Sequence, residues 1–132
     1  MLKKISLSVM IFTYLFAGTA HFTHFKYFLS IVPGFIPRPE ALVSMTGALQ
    51  IFLAFFLALS RTRRWACYGI LFLWSISLPV NVYVLVIGGA GISLSQWQLE
   101  GMIPFHLVLM AWAYWHCLPE KTVGSRRSSV GS

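Results

Sequence analysis

Residues 16–50 read FAGTAHFTHFKYFLSIVPGFIPRPEALVSMTGALQ, and their reading decides the fold. The stretch holds two of the four histidines, three of the six prolines and a glutamine set in an apolar run. Pro33, Pro37 and Pro39 stiffen residues 31–40 and cannot continue a helix. The segment is therefore a turn between two helices. Pro39 suits the first turn of the second helix, and Glu40 suits its positive end. Phe35 and Ile36 are apolar for a loop in water, and are expected to dip into a membrane interface or cap the bundle.

Outward from this turn the chain is apolar. Apolar residues make up 58% and charged residues 10%, against about 25% charged in soluble domains. A chain of 132 residues cannot hide that much apolar surface in one aqueous core. Residues 5–25, 41–60, 65–99 and 101–119 carry no charge, and each is long enough for a helix of ~20 residues across a bilayer. Gly88, Gly89 and Gly91 mark where the third helix stops. The polar alternation of a membrane-spanning strand is not seen. The expectation is an all-α, integral membrane four-transmembrane-helix bundle. It occupies residues 1–119, with spans near 5–28, 40–60, 65–87 and 102–118. Pro104 then falls in the first turn of the last span. Residues 120–132, rich in Ser and Arg, are expected to be a disordered cytoplasmic tail.

The net charge of +7 does not read as a nucleic-acid patch, because the basic residues alternate with the spans. Lys3, Lys4, Arg61, Arg63, Arg64, Lys121, Arg126 and Arg127 fall on one side, and Lys26 and Arg38 on the other. That asymmetry places both termini in the cytoplasm. The implied location is the bacterial plasma (inner) membrane, with membrane lipid and a protein partner or second copy as partners. Residues 1–20 resemble a signal peptide, but the apolar run continues past Ala20, so an uncleaved first helix is the expectation. Cys67 and Cys117 fall near cytoplasmic helix ends, where thiols stay reduced, so a structural disulfide is not expected. Packing is the plain reading of the pair and a dithiol the sharper one.

Helical periodicity then sorts the faces. Tyr14, Ala17, Gly18, His21 and His24 share one face of the first span, with Phe12, Leu15 and Phe16 opposite. Thr46, Gly47, Gln50 and Ala54 share a face of the second, with Phe52, Phe55, Phe56 and Leu59 opposite. Pro79 should kink the third helix, where Ser77 and Asn81 face together. Met102, His106, Met110, Ala113 and Cys117 share a face of the fourth, with Trp112 and Trp115 outward and His116 without a role. Combined with depth, His21, His24, Asn81 and His106, with Gln50 just below, form a candidate pocket in the outer half under the Pro-rich loop. Three of these, His21, His24 and His106, are candidate metal or haem ligands. The plainer reading is helix-to-helix hydrogen bonding. The three carboxylates, Glu40, Glu100 and Glu120, all lie in or near loops, so a carboxylate pair for acid–base work is hard to build.

Certain runs also form a series: Gly18-Thr-Ala-His21-Phe22, residues 31–43 (IVPGFIPRPEALV), Thr46-Gly47-Ala48-Leu49-Gln50, Arg63-Arg64-Trp65-Ala66, Leu78-Pro79-Val80-Asn81-Val82-Tyr83, Ile103-Pro104-Phe105-His106 and Trp112-Ala-Tyr-Trp115. Their order resembles the DoxX family of small bacterial inner-membrane proteins, over nearly the whole chain except the tail. The resemblance implies a four-helix membrane bundle and, for some relatives, a link to quinone-dependent sulfur oxidation or membrane redox complexes. Relatives often carry Glu at Gln50, Arg at Met102 and Gln at His106; a paired acid and base lost together would place Gln50 near the fourth helix.

The functional expectation is an accessory or membrane-anchoring subunit of a redox-related assembly. The alternative is a quinone- or haem-linked oxidoreductase component using the outer pocket, and the third reading is a small-solute carrier. None of the three assigns a reaction, and no cofactor is fixed by the residues.

Overall fold

The computed structural model describes residues 1–87 and 95–119. Among these residues the chain is all helix: α1 (Leu2–Thr23), α2 (Phe25–Ile31), α3 (Pro39–Ala58), α4 (Arg63–Val86) and α5 (Gln96–Cys117). Three helices, α1, α3 and α4, are long and apolar enough to cross a membrane. The expected tail and part of the second outer loop, residues 120–132 and 88–94, lie outside the described residues.

The first helix ends earlier than its apolar pattern. His24 leaves helical geometry at φ −114°, ψ 39°, and the chain restarts as the seven-residue α2. The expected uninterrupted span to residue 28 is therefore two helices, broken at His24. Pro33 follows α2 and is buried. Arg38, held between two prolines, takes a left-handed conformation (φ 54°) and is the N-cap of α3. Pro39 then occupies the first turn with Glu40, as the sequence indicates.

The turn between α3 and α4 is tied by side chains. Thr62 Oγ1 donates to the Phe56 carbonyl at 2.9 Å, and Arg63 Nε donates to the Leu57 carbonyl at 3.0 Å. These satisfy two of the carbonyls that a helix C-terminus leaves without partners. At the other connection, Ser95 starts α5 and its backbone N–H donates to Gln98 Oε1 at 3.0 Å. That is the Ser-x-x-Gln capping pattern. It begins α5 six residues before Met102, so Pro104 lies inside the helix rather than in its first turn. Pro79 likewise lies inside α4.

The closest helix pairs are α1 with α3 and α4 with α5, joined through α3 with α4. The start of α1 also meets the end of α5, where Lys3 Nζ donates to the Leu118 carbonyl. The apolar core is gathered toward this end: Met10 and Tyr14 of α1, Leu53, Ala54 and Leu57 of α3, Ala66, Cys67, Ile70, Leu73 and Trp74 of α4, and Leu109, Ala113 and Cys117 of α5. The opposite half of the bundle carries most of the histidine and amide side chains. Phe12, Phe16, Phe52, Phe55, Phe56 and Leu59 are exposed, on the outer faces that the wheel assigns them.

Candidate functional site

Two hydrogen-bonded groups, joined by one ring contact, form a polar chain across the bundle from α1 through α4 to α5. It starts at the buried Tyr14, whose hydroxyl accepts the Trp74 indole N–H at 2.8 Å. The Trp74 ring stands edge-on to the His106 ring, with centroids 4.4 Å apart. His106 Nδ1 is 2.6 Å from the Met102 carbonyl, an atom that can only accept. Nδ1 therefore carries the proton in neutral His106, and Nε2 presents a lone pair. Asn81 Nδ2 lies 3.1 Å from that Nε2 and 2.9 Å from the Ser77 carbonyl. One amide hydrogen serves each acceptor. Both imidazole nitrogens of His106 are thus engaged, and a metal at Nε2 would have to displace Asn81.

The pairing follows from local sequence. Trp74, Ser77 and Asn81 recur at helical spacing on one face of α4. His106 sits four residues after Met102, so its ring reaches back to the preceding turn. The wheel places Tyr14, Asn81 and His106 inward, and His106 is indeed buried. Trp74 is the member that the reading of polar residues passes over. Its i, i+3, i+7 relation to Ser77 and Asn81 is the signal that marks it.

The remaining candidates stand elsewhere. His21 Nδ1 donates to the Ala17 carbonyl of its own helix at 2.8 Å, and the ring stacks on Phe28 at 3.9 Å. His24 is exposed at the α1–α2 break, 3.0 Å from Thr23 Oγ1. Gln50 is buried against α1, where its Cβ lies close to Gly18, and Oε1 has no hydrogen-bond partner among the described residues. The Cβ of Gln50 thus sits at the close crossing of α1 and α3, and no hydrogen bond joins its amide to α5 among the described residues. Among the described residues, no three His, Cys, Asp or Glu side chains gather as a metal site. The Pro-rich loop does reach the bundle, for Phe35 packs edge-on against Tyr83 of α4 at 5.6 Å.

Two side chains of α5 differ from their expected faces. Trp112 turns inward enough for its indole N–H to donate to Ser6 Oγ at 2.7 Å. His116 is buried, with Nε2 3.1 Å from the same oxygen. The Ser6 hydroxyl accepts from Trp112 and shares a second hydrogen bond with His116 Nε2, linking the start of α1 to the end of α5. Helical periodicity does not mark this link, because an isolated serine near a helix start carries no partner information. Cys67 and Cys117 are both buried and free, and lie within side-chain reach of each other.

Two cavities lie away from the polar chain. One of about 200 Å³ opens at the end of the bundle where Lys3, Arg63 and Cys117 come together. The other, about 300 Å³, is an apolar groove between α3 and α4 lined by Leu53, Phe56, Trp65 and Ala66. None of His21, His24, Gln50, Asn81 or His106 lines either one.

The fold and these contacts define a small all-helical bundle with three membrane-length apolar helices and a hydrogen-bonded polar interior. Residues 10–117 match the family described as Domain of unknown function (DUF8561), and the chain belongs to that family. This corrects the resemblance to DoxX. The short runs behind it are chiefly glycines at a helix crossing and prolines in a turn or within helices, which packing alone can reproduce in an unrelated bundle. No curated protein and no solved structure matches the chain.

Proposed function

We propose that the protein is a four-span integral protein of the plasma (inner) membrane, with both termini cytoplasmic, acting as an accessory or anchoring subunit for a protein partner. The eight-to-two distribution of Lys and Arg supports the orientation. As the fourth span, α5 has 22 residues, about 33 Å at the helical rise, which suits a ~30 Å hydrocarbon layer. Its glutamines, Glu100 and His106 make it the most polar of the four long helices, and His106 meets its needs inside the bundle.

The observation that carries the accessory reading is the satisfied state of His106. Its two nitrogens bond to Met102 and Asn81, as expected of a residue that fastens helices rather than one held ready for a ligand. The redox setting came with the DoxX resemblance and goes with it.

Purification of the tagged full chain in a mild detergent tests the reading. A specific protein retained in fixed proportion supports it. A retained quinone, or a haem absorption band lost in His21→Ala or His106→Ala, would replace it with a cofactor-linked role. A reporter enzyme fused after Ser132 should read as cytoplasmic; a periplasmic result refutes the orientation.

A further inference from the structure

The end of the bundle opposite the Pro-rich loop collects positive charge around a cavity. Lys3 and Lys4 arrive from the start of α1, Arg63 and Arg64 from the start of α4, Ser60 from the turn after α3 and His116 from the end of α5. The space they line is about 200 Å³. No Asp or Glu lines it among the described residues. The first turns of α1 and α4 also lack an acidic residue, so the positive ends of both helices add to the same field. Two of the cations are anchored by backbone: Lys3 on the Leu118 carbonyl and Arg63 on the Leu57 carbonyl. Holding four like charges around one cavity costs free energy unless an anion enters.

We propose that this cavity binds a phosphate group, and that its source is the headgroup of an anionic phospholipid. Arginine forks and lysine ammonium groups are the usual partners of phosphate oxygens, with Ser60 as a further donor. Basic pockets between membrane helices on the cytoplasmic side are suited to such headgroups. The cavity volume admits a phosphate and its ester carbons. The site itself stands on the geometry of the cavity; only the lipid as source rests on the proposed membrane placement.

The test uses the full chain in a non-ionic detergent, with native mass spectrometry against phosphatidylglycerol, phosphatidylcholine and inorganic phosphate. Retention of phosphatidylglycerol over phosphatidylcholine is expected, with inorganic phosphate reducing it. Lys4→Gln with Arg64→Gln should weaken retention about thirtyfold, at roughly one lipid-interaction increment per charge. Both side chains are exposed, so circular dichroism should show the variant folded. Lys26→Gln with Arg38→Gln, at the other end, should change nothing. Equal retention of the two lipids, an unaffected double variant, or equal loss in both variants would overturn the proposal. Binding of inorganic phosphate without phosphatidylglycerol would keep the phosphate site and overturn the lipid as its source. A periplasmic reporter at Ser132 would sink the orientation while leaving phosphate binding in detergent intact.

Discussion

Gly18 of α1 and Gly47 of α3 meet face to face. A Cβ at Gly18 would stand 2.8 Å from the Gly47 carbonyl oxygen, and one at Gly47 would stand 3.0 Å from the Gly18 carbonyl. Both obstacles are backbone, so only separation of the helices could relieve them. Gly18→Ala and Gly47→Ala should each destabilise the bundle by about 1–3 kcal/mol, despite alanine's better helix propensity. Gly69→Ala meets only the Leu53 methyl, which can rotate away, and should cost less. Unfolding by denaturing detergent measures all three; a Gly18→Ala protein as stable as the parent would contradict the close crossing.

The Trp74–Tyr14 hydrogen bond makes a second prediction. Tyr14→Phe leaves the indole N–H without its acceptor in a buried position, at a cost of about 1–3 kcal/mol. Crossing Tyr14→Phe with Trp74→Phe should give a coupling near 1 kcal/mol in a double-mutant cycle. Strict additivity would show that the two groups do not interact.

For Gln50 the expected sign is reversed. Its Oε1 is buried without a partner among the described residues, so Gln50→Leu removes a penalty while keeping similar volume. The variant should be neutral or more stable, by up to about 1 kcal/mol. A loss greater than that would mean the amide has a bond that the packing against Gly18 does not reveal.

The tautomer of His106 can be read directly. Nitrogen NMR of the labelled protein should find a proton on Nδ1 and a bare Nε2 accepting from Asn81. Asn81→Leu should move the Nε2 resonance and leave Nδ1 nearly where it was. A proton found on Nε2 instead would dissolve the polar chain as described.

Cys67 is fully buried in the core cluster, whereas Cys117 lines the open cavity, so a maleimide should spare Cys67 in the folded protein at short times. Labelling of both should appear on unfolding. Fast labelling of Cys67 in the native bundle would show that the core opens at that end.

The sequence by itself determined that the chain is helical and which faces of α1 and α3 turn outward. Prolines 33, 37 and 39 fixed the turn, and the Pro39–Glu40 start of α3 follows from the missing N–H of proline and the helix dipole. The phenylalanines of α1 and α3 face outward because an apolar stripe with period 3.6 has only one inner side. Asn81 and His106 were legible as inward residues, but not as partners. A wheel gives a direction within one helix and says nothing about the neighbour that stands there. That neighbour depends on crossing angle and register, which the tertiary structure decided. The Gly18–Gly47 crossing set the Cβ of Gln50 against α1. The break at His24 left that histidine exposed. Ser6, an unremarked residue of α1, drew in Trp112 and His116 because hydrogen-bonding groups buried in a bundle must find one another, and only the packed helices fix which ones meet.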